Sequence, residues 1–233
     1  MRSKRIINIA VAVLALGLIS PYLSAFQSSG QNRKGTITLN LDDILRQLAT
    51  YDGGLNSDAF WKLRDYVQAV KDAPEVRLPC EEKLLVFLGT SATLAAKMAI
   101  CRELRVIGSE KSVPFLEKLL TDRETTDIAR YALEKIPAAE ADKALIGALA
   151  RTKGDVKKGI ITSLGQRKSK PAVSALKPLL QGPDLEIAAA AAAALGQIGG
   201  LDAAEALVKS LGPVTADLKA AVASALILSA EEF

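Results

Sequence analysis

The stretch Ala191–Leu211, AAAALGQIGGLDAAEALVKSL, decides the fold. It reads as a helix, a glycine turn and a second helix. Leu195 within it belongs to a series. Leu164 lies 31 residues before it, Leu226 lies 31 after it, and Leu133 lies a further 31 before Leu164. Leu104 stands 29 residues before Leu133. A fixed period of this length is the mark of stacked helical units, each of which buries its apolar face only against its neighbours.

Other columns keep the same step. Ile100, Ala129, Ile160, Ala191 and Val222 stand four residues before the marker leucines. Ala96, Thr125, Val156, Ile187 and Leu218 stand eight before. Leu116, Leu145, Leu176 and Leu207 stand twelve after them, and Leu120, Leu149, Leu180 and Leu211 sixteen after. Steps of four follow one face of an α-helix. Each unit is therefore a helix A carrying the marker and a helix B carrying the later columns. Gly108-Ser109, Pro137, Gly165 and Gly199-Gly200 fall between them and predict the inner turns, with glycine supplying positive φ. The missing two residues of the short interval fall between Leu120 and Thr125, in the loop between units, where length changes are tolerated.

This pattern resembles the HEAT-like repeat family in its short form, first described in phycobilisome lyases. The residues that carry the resemblance are Ala194-Leu195-Gly196-Gln197-Ile198-Gly199 with Ala203–Leu207, Ser163-Leu164-Gly165 with Pro171–Leu176, and Glu103–Gly108 with Ser112–Leu116. Leu133–Leu149 is a weaker copy, with Glu134 where the better ones have glycine. The resemblance covers roughly residues 91–229. It implies an all-α, right-handed α-α superhelix, a solenoid of helical hairpins. It says little about function, because such scaffolds serve unrelated roles. Some HEAT-like repeat proteins, the deoxyhypusine hydroxylases, bind iron through His-Glu pairs, and no residue here matches those ligands.

Composition removes several kinds of chemistry. The chain has no histidine, which excludes Ser-His and Cys-His catalysis and His-ligated zinc or haem. The net charge of +4 comes largely from the N-terminus: without Arg2, Lys4 and Arg5, 27 basic residues face 26 acidic ones. A nucleic-acid role argued from overall charge therefore fails. We expect no cofactor, no metal and no catalysis.

Residues 1–25 read as a secretory signal. Arg2, Lys4 and Arg5 precede the apolar run Ile6–Ile19, and Leu23-Ser24-Ala25 offers a cleavage site. The run is shorter than the ~20 apolar residues of a membrane span. Export to a periplasm or the extracellular space is expected, with no stable membrane span once the signal is gone; the rival reading is an uncleaved N-terminal anchor. Residues 26–41 read as a flexible or extended linker, with Thr36–Leu41 alternating as a strand would, either laid over the first helices or left as an exposed edge. Residues 42–92 read as N-terminal helices and a degenerate capping repeat, followed by the repeats at 93–229. Asp42 is expected to cap a first helix to about Thr50, and Asn56-Ser57-Asp58 to start a second. Pro79 is placed near the start of a third, with Cys80 opening a helix B. Phe60 and Trp61 are expected to close the stack as core.

Three features are candidates for binding. Helix B turns Glu117, Lys118, Lys143, Ile146, Lys177, Glu205, Val208 and Lys209 outward, a thin basic stripe of Lys118, Lys143, Lys177 and Lys209 on what is usually the concave face. The segment Arg151–Lys170 gathers cations, among them Lys157, Lys158, Arg167 and Lys168, as either a basic ridge or a solvated face. Cys80 and Cys101 are either a disulfide closing a loop of about 20 residues, worth roughly 3 kcal/mol, or two buried thiols. The expected function is an exported scaffold that binds another protein of acidic character, not nucleic acid. The alternative is a phycobilisome-lyase-like subunit that assists attachment of a tetrapyrrole to a protein. Residues 216–229 make a helix A with no helix B after it, leaving Ala221, Ala225, Leu226 and Leu228 partly covered. Three outcomes are open there: self-association, a docked partner, or a chain cut short.

Overall fold

The structure is a computed structural model that describes residues 40–54, 58–212 and 216–230. The expected signal, most of the linker and the Asn56-Ser57 cap lie outside the described residues. Those described belong to the compact unit Asn40–Phe233. They are helical, with no strand among them.

Twelve α-helices follow in order: α1 (Leu41–Leu48), α2 (Asp58–Val70), α3 (Pro74–Leu88), α4 (Leu94–Ile107), α5 (Val113–Glu117), α6 (Thr126–Leu133), α7 (Ala139–Arg151), α8 (Gly154–Gln166), α9 (Val173–Leu176), α10 (Leu185–Ile198), α11 (Leu201–Ser210) and α12 (Ala216–Ala230). Helices α4, α6, α8, α10 and α12 are the successive A helices, each packed on the next, and α2 precedes them against α4. The B layer is α3, α5, α7, α9 and α11 with their 3₁₀ extensions. Most positions of the columns read from the sequence are the core, while Thr125, Val156, Leu211 and Leu226 are only partly buried. Leu104, Leu133, Leu164 and Leu195 are fully buried, as are Leu116, Leu145, Leu176 and Leu207. The expected all-α repeat stack is thus present.

Local chemistry corrects several boundaries. Asn40, not Asp42, caps α1: its side chain accepts the Asp42 N–H at 2.9 Å. Asp42 is left to pair with Lys83 of α3 at 2.6 Å. Leu41, the last residue of the alternating stretch, opens this helix and is buried. Pro74 starts α3, where its missing N–H costs nothing. Pro79 and Cys80 therefore sit inside the helix rather than at its start. In the B layer, Pro114 and Pro171 each begin a helix that opens as a 3₁₀ turn, and Pro178 ends α9 by converting Lys177–Gln181 to 3₁₀. A prolyl ring clashes with the carbonyl four residues back, so these B helices are interrupted.

The inner turns also differ. Gly199 and Gly200 have φ of 66° and 83°, as a glycine stop requires. Gly165 is not a turn residue; it lies inside α8. There the turn is made by Lys168 at φ 51°, with Ser169 N–H closing onto Leu164 O at 3.0 Å. Gly108 has an ordinary φ of −62°, and a Cβ there would strike Leu104 O and lie 3.0 Å from Ile136 Cδ1. At the N-terminal end Trp61 is 52% exposed, so it is not core; Leu63 and Val67 fill that place. In α12, Ala225 is buried against Gly196, contrary to expectation, whereas Ile227 and Leu228 are exposed.

Candidate interaction surface

The outward positions of the B layer lie ten, thirteen and fourteen residues after each marker leucine. Lys143 and Glu205 occupy the first, Glu117, Ile146, Lys177 and Val208 the second, Lys118 and Lys209 the third. Steps of three and four keep Lys143 with Ile146, and Glu205 with Val208 and Lys209, on one face of α7 and of α11, whereas Lys118 caps α5 and Lys177 opens a 3₁₀ turn. All four lysines of the stripe are exposed. Lys118 lies 5.5 Å from the Phe115 ring centre. Lys143 and Lys209 stand near acids of their own helices, Glu140 at 3.7 Å and Glu205 at 3.6 Å. Such exposed pairs are weak and leave the lysines available. Lys177 pairs with no carboxylate among the described residues. Val208 adds an apolar element, 56% exposed.

The cation-rich segment Arg151–Lys170 does not come together as one ridge. Arg167 is structural. Its guanidinium donates to Leu133 O, to Ile136 O at 2.8 Å and to Ala138 O at 3.1 Å, and its Nε pairs with Asp142 at 2.8 Å. The side chain is only 9% exposed, and it ties the end of α8 to the inner turn of the preceding repeat. Lys158 is exposed and bridges to Glu186 at 2.7 Å, a carboxylate that pushes its pKa up. Lys157 is half-buried, and Lys168 shapes the turn. Arg151 pairs with Glu117 at 3.0 Å.

The cysteines are free thiols, both buried, rather than the disulfide that an exported chain permits. Burial and the nearby Glu103 and Glu81 carboxylates push the Cys80 thiol up to about 11. Burial pushes Cys101 up to about 12. Neither is a ready nucleophile, because the thiolate is the reactive form. Among the described residues no cluster of His, Cys, Asp and Glu is placed to hold a metal, and no helix is long and apolar enough to cross a membrane.

Several buried or half-buried polar residues escaped the sequence reading. Glu81 is fully buried, and its Oε1 accepts the Ser109 N–H at 2.7 Å and the Ser109 and Ser112 hydroxyls at 2.9 and 2.6 Å. Arg130 donates to Gly159 O at 3.0 Å and Ser163 Oγ at 3.1 Å. Glu134 accepts from Ser163 at 2.9 Å and pairs with Arg105 at 3.3 Å. One signal was available: Glu134 stands in the column where later repeats have glycine.

Residues 141–227 match the family model for HEAT repeats. Among solved structures, the chain is similar to human deoxyhypusine hydroxylase in complex with glycerol, at 16% identity and a TM-score of 0.42, covering 82% of this chain and 96% of that one. It is also similar to an engineered protein, at 23% identity and a TM-score of 0.45, with 82% and 96% covered. No curated protein matches the sequence.

Proposed function

We propose that this chain, a helical-repeat scaffold with HEAT repeats over residues 141–227, is an exported, non-enzymatic module that holds another protein against its B face. The observation that carries this reading is the row of exposed lysines, one from each of four consecutive repeats, beside the exposed Val208. A row of cations with a few apolar contacts suits an acidic protein surface and gives rate and selectivity more than raw affinity. Its one exposed aromatic among the described residues, Phe115 beside Lys118, falls short of the interleaved aromatics of a nucleic-acid platform. The buried, high-pKa thiols and the absence of histidine from the sequence support a role without catalysis.

Export rests on the charged start and apolar run of residues 1–25. Mass analysis of the protein from the exported fraction should give a chain beginning near Phe26. A chain that keeps those residues and sediments with membranes would establish the anchor instead.

The binding reading is tested by reversing the stripe. Lys118, Lys143, Lys177 and Lys209 are changed to Glu together, and crosslinked partner is quantified against wild type. Capture should fall about tenfold or more, with an unchanged melting temperature because exposed charges contribute little. Equal capture would remove the stripe from function, and a visible absorbance band on the purified protein would favour tetrapyrrole handling. Self-association through α12 is a separate part of the proposal. It is supported by Ile227, which is 68% exposed at the position where Gly196 of α10 is covered. Replacing Ile227 and Leu228 with Lys should abolish any dimer seen by light scattering, and a strictly monomeric wild type removes that part.

A further inference from the structure

The A layer carries a second concentration of binding chemistry, on residues other than the lysine stripe. It lies on α2 and α4, which pack on one another. Arg64 lies with its guanidinium 5.8 Å from the centre of the Trp61 ring. Arg102 lies 5.5 Å from the centre of Phe60, and the Phe60 and Trp61 rings meet edge to face at 5.0 Å. The four side chains therefore form one continuous row of contacts, cation, ring, ring, cation, across two helices. Met98, one turn before Arg102, is 50% exposed, and Trp61 is 52% exposed.

Both guanidiniums are exposed, and among the described residues neither forms an ion pair. Two acids are close: Asp65, exposed beside Arg64 on α2, and Glu103, buried on α4. Burial raises the Glu103 carboxyl to about 6 although Arg102 and Arg64 pull it down. Among the described residues no hydrogen bond or ion pair joins either guanidinium to that carboxylate. The arginines thus lie beside rings and are exposed. A guanidinium beside a ring keeps N–H groups that suit a carboxylate bidentately. The next arginine along α4 shows the contrast: Arg105 stacks on Tyr131 at 4.0 Å but is already paired with Glu134.

We infer that Trp61, Arg64, Met98 and Arg102 form a docking surface for an acidic segment of another protein that also carries an aromatic or aliphatic side chain. Half-exposed Trp and Met with ordered Arg is the composition that dominates binding energy at protein interfaces. A phosphodiester backbone is the poorer fit. It needs a continued row of free cations, and here the row stops at two, because Arg105 and Arg130 are engaged within the fold.

Trp61 is the sole tryptophan of the chain, so its emission reads the site directly. The full-length protein is titrated with a Glu-rich peptide bearing one Phe, with its Lys-for-Glu counterpart, and with a single-stranded oligonucleotide. The Glu-rich peptide should give a saturable blue shift that weakens with salt. Arg64→Glu with Arg102→Glu should weaken it about tenfold or more and transfer preference to the Lys-rich peptide. Arg64→Gln with Arg102→Gln, which introduces no new charge, should weaken it without that transfer and serves if the reversal variant fails to fold. The stripe variant, with Lys118, Lys143, Lys177 and Lys209 changed to Glu, should bind as wild type. The inference is overturned by the absence of a saturable shift, by equal binding in the arginine variants, by loss in the stripe variant, or by a preference for the oligonucleotide.

Discussion

Between α6 and α8 the A layer is joined by hydrogen bonds; between α8, α10 and α12 it is joined by backbone lying close to backbone. The register is the same at each joint. The residue after one marker leucine meets the residue before the next. At the first joint that pair is Glu134 and Ser163, hydrogen-bonded at 2.9 Å. At the others it is Gly165 with Ala194 and Gly196 with Ala225. A Cβ on either glycine would stand 2.8 Å from the opposing Cα. One fold position thus accommodates two solutions. Small residues give dense dispersion contacts, and at Gly165 the Gln197 Oε1 also lies against the glycine. The polar joint must keep every member bonded, since a buried polar group without a partner costs more than a bonded one contributes. Arg130 shows the tension: its Nε is buried without a partner while its other nitrogens serve Gly159, Ser163 and Asp127.

The largest effect should come from the seam that both kinds of joint share. Leu164 is fully buried in α8, and Leu164→Ala should cost about 2–5 kcal/mol. An unchanged melting temperature would contradict the stack. Breaking the polar side comes next. Arg167→Met should cost about 3 kcal/mol, because it strands Asp142 and three carbonyls, whereas Lys157→Glu should be near neutral. Equal melting temperatures for the two would return Arg167 to the surface. A matched pair then sharpens the comparison. Gly196→Ala pushes a Cβ onto Ala225 backbone and should cost about 1–3 kcal/mol. Gly159→Ala meets the Arg130 guanidinium, 2.6 Å from its carbon, a side-chain end that can shift at the expense of its bonds to Gly159 O and Ser163 Oγ. Its cost should be smaller by about 1 kcal/mol, because a side-chain end yields more readily than backbone, the helix preference of alanine being common to both sites. Reversal of that order in chemical denaturation would mean that the polar joint is the more rigid one.

The smallest expected effect depends on pH. Burial raises Glu103 from 4.5 to about 6 against the pull of Arg102 and Arg64. A carboxyl raised in the folded state binds its proton more tightly there. Its contribution to stability is complete below pH 4.5 and is lost as pH rises through about 6. Glu103→Gln should therefore stabilise by about 1–2 kcal/mol at about pH 8 and by nothing at about pH 4. A stability difference independent of pH would show that Glu103 does not titrate as a buried group.

The sequence by itself determined the repeat, its period and its buried columns. Each column is written several times over, and a helix converts spacing into a face by local geometry alone. Leu104, Leu133, Leu164 and Leu195 could be placed in the core without any knowledge of what lay opposite. The lysine stripe was legible for the same reason. Tertiary structure alone decided what happens between repeats. Gly165 carries the local chemistry of a turn, yet α10 lies against it, and that contact puts it inside α8 while Lys168 makes the turn. Arg167 sits in a run of cations and reads as surface. Its side chain reaches back to Leu133, Ile136 and Asp142, 25–34 residues away, and is buried there. Trp61 and Phe60 read as core because they are large and apolar; Phe60 is partly buried against the core, but Trp61 is exposed, because α2 has a narrower buried stripe than its apolar residues could fill. A side chain long enough to cross from one repeat to the next takes its environment from the neighbour, and no local pattern encodes that neighbour.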